Sequence, residues 1–139
     1  MIEISYNFVE VEAAEFHPAE FTVWLNKVLS YYKKSNVSLS YVFVSDDHLL
    51  EINKESLNHD YYTDIITFNY NEGNSLSGEM FISLERVREN SLEFSEGAFL
   101  TELSRVMVHG VLHLLGYNDQ TEEEEAIIRR QEDICLSLK

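Results

Sequence analysis

The chain has 139 residues, of which 45% are hydrophobic and one is proline. That length fits one domain with a real core and hardly allows two, the apolar content excludes wholesale disorder, and apolar runs of only a few residues fall far short of the ~18 a membrane-spanning helix needs. Twenty-five acidic residues against ten basic give a formal charge of −15, a surface that repels phosphate backbones at long range and argues against a non-specific nucleic-acid binder.

The chain opens with Ile2, Ile4, Tyr6 and Phe8 alternating with Glu3, Ser5 and Asn7, the period of a half-buried strand. Five glutamates and no lysine or arginine precede Lys27, the opposite of a signal or transit peptide, which predicts a cytoplasmic protein. From Pro18 to Lys33 the pattern is helical. Phe21, Trp24, Leu25, Val28, Leu29 and Tyr32 form one apolar stripe, and Pro18 suits the first turn. A second strand spans Ser38 to Val44, with Leu39, Tyr41 and Phe43 on one face. Ser45 then caps a short helix reaching Glu55, with Asp46 and Asp47 at its positive end.

Ile65 to Tyr70, β-branched and aromatic, reads as a strand, Asn71 to Ser77 as a turn and Gly78 to Ser83 as the returning strand of a hairpin. A polar helix covers Leu84 to Phe94. A longer one starts at Gly97 or Ala98 and runs to Leu115, where Gly116 supplies the left-handed residue that ends it. Thr121 and Glu124 form a capping box before a last helix whose predicted core face is Ile127, Ile128, Ile134, Cys135 and Leu138. The glutamates at 122–125 relieve that helix's dipole and read as a solvated face. Cys135 has no partner for an internal disulfide, which agrees with a reducing compartment, and reads as a small core residue. About four strands and five helices, not strictly alternating and with no repeat or linker between them, predict a single α+β domain over residues 1–139, with helices packed on a mixed sheet.

Chemistry concentrates near the end of the long helix. His109 and His113 are two of only five histidines, and four residues apart on a helix they project from one side, able to meet one ion. Gly110 leaves room for close packing, and the turn after Gly116 can return a third ligand, with Asp119 three residues further on. Two imidazoles and one carboxylate leave a fourth position open, as in a hydrolytic zinc site. Glu102 falls within roughly 40° of both histidines on the helix and is a candidate to accept the free ring N–H of His109 or to pack near it. Asp64, between a turn and a buried strand, has a structural and a site role equally open to it.

The stretch His109-Gly110-Val111-Leu112-His113-Leu114-Leu115-Gly116-Tyr117 resembles the signature of the YbeY family of bacterial metal-dependent endoribonucleases. The resemblance extends to Asn53, Glu55, Thr63, Asp64 and Phe68, to the Gly78–Ser83 strand, to Glu102, and to Glu132 in the last helix. It implies a zincin-like metal helix, one Zn²⁺ per chain on His109, His113 and Asp119, and a cytoplasmic enzyme that cuts single-stranded RNA. It further implies 16S ribosomal RNA 3′-end maturation and ribosome quality control, with small-subunit ribosomal proteins as partners and neither DNA nor membrane. The chain departs from the family twice. Asn118-Asp119 stands where the family reads Asp-His, so a carboxylate takes the position of the third imidazole, as zinc chemistry allows. Leu57 occupies the register of an arginine associated with activity, and Arg86, Arg88 or Arg105 would have to compensate.

Three function classes follow. The first is the zinc-dependent endoribonuclease, in which the ion offsets the repulsion of the −15 surface at short range and partner proteins deliver the RNA. A zinc protease fails because Gly110 stands where H-E-x-x-H needs its glutamate base. A non-catalytic ribosome-assembly factor with a mainly structural metal is the alternative that Leu57 keeps open.

Overall fold

The computed structural model describes residues 1–139. Along the chain run β1 (Ile2–Phe8), α1 (Pro18–Tyr31), β2 (Val37–Val44), α2 (Asp46–Leu57), β3 (Ile65–Asn69), β4 (Leu76–Ser83), α3 (Leu84–Phe94), α4 (Phe99–Leu114) and α5 (Glu122–Ser137). The strands form one mixed sheet in the order β1-β2-β4-β3, with β1, β2 and β4 parallel and β3 antiparallel to β4. This is the α+β arrangement that the pattern predicts, hairpin included.

Leu39, Tyr41 and Phe43 share one sheet face with Met80 and Ile82, and the apolar stripes of α1 and α4 complete the main core there. The Tyr41 hydroxyl donates to the Met107 carbonyl at 3.0 Å, so its one polar atom is satisfied inside that core. Val42 and Val44 are buried as well, against Leu49 of α2 and Ile66. The central parallel strand is therefore covered on both sides and reads as nearly continuous hydrophobic sequence.

Three expectations need correction. β4 begins at Leu76 rather than Gly78, because Leu76 is buried and pairs with Val37 of β2, so the turn contracts around a Glu72–Ser75 bridge. Ile127 is 45% exposed. The inward stripe of α5 is Ile128, Glu132 and Cys135, at the i, i+4, i+7 spacing of one helical face, and Ile127 lies about 100° away from it. The helix predicted from Gly97 or Ala98 starts at Phe99, with Ala98 as its N-cap.

Two glycines position the site. A Cβ on Gly110 would fall 2.8 Å from Met80 Cγ and 3.1 Å from Ile65 Cδ1, so only glycine lets α4 lie this close to β3 and β4. Gly116 has φ +106. Its N–H bonds the His113 carbonyl while the Tyr117 N–H reaches back to Leu112, the paired bonds of a Schellman stop. The chain thereby reverses at the end of α4 and carries Asp119 back over the histidines.

Candidate metal centre

Three donor atoms converge at the C-terminal half of α4. His109 Nε2 and His113 Nε2 lie 3.0 Å apart, and Asp119 Oδ2 is 3.2 Å from the first and 3.4 Å from the second. Tetrahedral zinc with bonds of ~2.0–2.1 Å has ligand–ligand edges of about 3.4 Å, so a triangle of this size admits such an ion without rearrangement. The donor chemistry, two imidazole nitrogens and one carboxylate oxygen, suits the same ion. His109, His113 and Asp119 are the group in this chain that could hold a metal. All three are partly buried and line the cleft.

The other ring nitrogen of His109 is held by Glu132, a position of the family resemblance to which the sequence assigned no role. Nδ1 lies 2.6 Å from Glu132 Oε2, and Arg105 donates to Glu132 Oε1 at 2.9 Å and to Asp133 at 2.9 Å. Glu132 is 4% exposed. A proton on Nδ1 shared with this carboxylate leaves the Nε2 lone pair of neutral His109 aimed at the other donors. Burial raises the Glu132 pKa, but the hydrogen bonds and charges of His109 and Arg105 outweigh it and hold the carboxyl below its ordinary value. For His109, burial acts to lower the pKa, and the hydrogen bond and charge of Glu132, with Asp119 and Asp64 behind, reverse it to a net rise.

That rise has a measurable consequence. A metal must displace the proton from His109, so metal affinity is expected to fall as the pH drops, with the decline already under way above the ordinary imidazole value of about 6.5. In metal-free protein the sign is the usual one for a raised pKa. The stabilisation is complete below about 6.5 and disappears as the pH rises through the higher folded value. Calorimetric titration with zinc between pH 5 and 8 checks the first expectation, and an affinity that does not change with pH would contradict it.

Asp64 and Glu102 part company. Asp64 sits at the seam of the cleft with His109 and Asp119, where burial raises its pKa and the nearby His109 charge partly opposes the rise. Glu102 lines the same cleft, yet its Oε1 accepts from Ser95 at 2.9 Å and the His109 N–H goes to Glu132 instead. It packs near the histidines without holding them. Glu122 and Glu125 line the cleft wall without joining the donor triangle, and the Thr121–Glu124 capping box is formed at the start of α5. Cys135 is buried, with its thiol pushed up by burial, as suits a core residue.

The arginines separate as clearly. Arg86 pairs with Asp46 at 2.7 Å, and Arg88 holds Glu15 through two bonds of 2.9 and 3.0 Å that bring the Glu15 carboxyl down to about 2. Of the three, only Arg105 lines the cleft, and it is engaged by Glu132 and Asp133. Leu57 stands on the cleft wall, 42% exposed, so the place of the family arginine faces the site and holds an apolar side chain.

The sequence agrees with this geometry. Residues 3–138 match the family described as Endoribonuclease YbeY. The chain is 44% identical over 135 residues to Endoribonuclease YbeY of Phocaeicola vulgatus, covering 97% of each protein. It is 42% identical over 136 residues to Endoribonuclease YbeY of Bacteroides fragilis, covering 98% of this chain and 97% of that one. A solution structure of a Thermotoga maritima protein, 24% identical, superimposes with a TM-score of 0.65 over 99% of this chain and 88% of its own, a likeness of fold. With a glycine-bounded histidine helix, a carboxylate folded back onto it and relatives of this identity along nearly its whole length, the chain belongs to the YbeY endoribonuclease family.

Proposed function

We propose that this protein is a zinc-dependent endoribonuclease that cuts single-stranded RNA. Its setting is the cytoplasm, its task 16S ribosomal RNA 3′-end maturation and ribosome quality control, and small-subunit ribosomal proteins bring it to its substrate. The observation that carries this reading is the triangle of His109 Nε2, His113 Nε2 and Asp119 Oδ2, with edges of 3.0 to 3.4 Å, lining the cleft. His109, His113 and Asp119 would hold the zinc ion, which would supply Lewis acidity for hydrolysis of the RNA backbone.

The protein's own groups do the rest. Glu132 orients His109 and keeps its Nε2 directed into the cleft, and Arg105 keeps Glu132 ionised. Asp64 lines both parts of the cleft beside His109 and Asp119, where burial raises its carboxyl pKa and the His109 charge partly opposes the rise. The cleft excludes duplexes on shape. A flexible strand can bend one phosphate into a recess, whereas an A-form helix keeps its phosphates on the outside.

Labelled single-stranded RNA is therefore expected to be cut by zinc-loaded protein, and the same sequence annealed to its complement to be cut weakly or not at all. Equal rates on both would contradict the single-strand reading. One observation favours a second reading. Leu57 cannot bind phosphate, and neither Arg86 nor Arg88 is free to replace the lost charge. A zinc-loaded protein that binds ribosomal RNA and cuts neither substrate would be a ribosome-assembly factor with a structural metal.

A further inference from the structure

The cleft has two lobes that meet at Asp64, Ile65, His109 and Asp119. One, about 610 Å³, runs towards α5 and is lined by Arg105 and Arg129 but also by six carboxylates. The other, about 500 Å³, runs along the segment after α2, where Leu57, His59, Tyr61 and Thr63 form its wall. No lysine or arginine lines this second lobe. We propose that it is a nucleobase subsite, in which one base of the RNA strand stacks on the paired rings of His59 and Tyr61 while the adjoining phosphate lies at the histidine–aspartate cluster. The proposal rests on the endoribonuclease reading and assigns the residues that recognise the strand.

The two rings are nearly parallel, 21° apart in plane with centroids 5.2 Å from each other, and Tyr61 Oη lies 3.0 Å from His59 Nδ1. Tyr61 is nonetheless 55% exposed. A large aromatic pair left open at the edge of the cleft offers a flat surface that the core does not use. Its position is set by one buried residue. The His59 N–H donates to the Asn53 carbonyl at 3.1 Å, and Asn53 Nδ2 donates to the Tyr61 carbonyl at 2.9 Å, while Asn53 itself is 2% exposed. Asn58, at φ 56, makes the left-handed turn that allows both bonds. A platform anchored at both ends needs little ordering when it binds.

Charge decides which lobe takes the base. Arg105 in the α5 lobe is engaged by Glu132 and Asp133, so that lobe presents mainly carboxylates to an approaching strand. The His59–Tyr61 lobe carries two carboxylates, Asp64 and Asp119, both where it joins the other lobe, against six there, so it repels phosphate less, and stacking works along its outer wall because every base has a π-face. In a protein of charge −15, recognition through stacking avoids the counterion-dependent contacts that its surface cannot make.

The test is steady-state cleavage of a short single-stranded RNA by zinc-loaded protein. One base of stacking is worth ~1–3 kcal/mol, so Tyr61→Ala is expected to raise KM about 5- to 150-fold with kcat little changed. Tyr61→Phe should keep the natural KM. Scanning a single abasic residue along the RNA should find one position that raises KM in the natural protein by a similar factor and has no added effect in Tyr61→Ala. Raising the salt should weaken the natural protein's KM only slightly. Tyr61→Ala with the natural KM, or abasic substitutions without effect at every position, would overturn the subsite and leave the nuclease reading intact. Natural protein that cuts no RNA at all would overturn both.

Discussion

Asp119→Ala is expected to bind zinc more than ~100-fold more weakly than the natural protein, and Asp119→His to keep it. Loss of a supporting hydrogen bond to a ligand costs ~10–100-fold. Removing one of three donors from the His109, His113 and Asp119 triangle should cost more. The substitution has little else to disturb, because the Asp119 side chain is 41% exposed on the turn that follows α4, and exposed positions of this kind change stability by about 0.5 kcal/mol or less. Asp119→His places an imidazole at the same point on the returning chain. Competition against a chromophoric chelator reads both affinities. The rival carboxylate is Glu122, which lines the same cleft. If Asp119→Ala holds zinc normally and Glu122→Ala does not, the third donor lies in the first turn of α5.

Glu132→Ala should produce the largest stability loss of any single change near the site, about 3 kcal/mol in the metal-free protein. The cause is what it leaves behind. Arg105, whose side chain is 22% exposed, loses its inner partner, and the His109 Nδ1–H faces a buried void where the carboxylate was 2.6 Å away. Zinc affinity should fall as well, by ~10–100-fold, because the His109 ring is no longer oriented. Glu132→Gln keeps an oxygen to accept from His109 and should show the affinity loss with a smaller stability loss. Urea unfolding of metal-free protein separates the two effects. A loss below about 1 kcal/mol in Glu132→Ala would mean that the buried Arg105–Glu132–His109 chain contributes little to the fold.

Most of the architecture was legible because local signals agree with tertiary packing. The alternation at Ile2–Phe8, the stripe from Phe21 to Leu29, the capping box at Thr121 and the glycine stop at Gly116 are each local, and each is found. The histidine pair was legible for the same reason, since a four-residue spacing on a helix fixes a shared face. Asp119 required only the reversal at Gly116. Glu132 was harder, because it lies 23 residues from His109 on another helix. A signal was present: a glutamate between Ile128 and Cys135, on the face that packs inward, must be paired to be buried. For Glu102 the sequence left open whether it holds His109 or packs near it, and the distance along the chain explains which. Glu102 shares the helix face of the histidines, but it lies seven residues before His109, where Ser95 of the preceding turn reaches it first. The wall formed by His59 and Tyr61 in the second lobe has no periodicity or spacing to mark it, although Asn53, Thr63 and Asp64 beside it belong to the family resemblance. It exists because Asn53, buried on the inner face of α2, holds the backbone around Tyr61 in place.

The central claim is that one metal, held by His109, His113 and Asp119, makes this protein a ribonuclease. Its most direct test is the rate at which purified protein cuts labelled single-stranded RNA as isolated, after complete chelation, and after return of one equivalent of zinc. The account predicts cleavage that is lost on chelation and restored at one zinc per chain, with no restoration in Asp119→Ala. Cleavage that survives chelation, or that returns equally in Asp119→Ala, would contradict it.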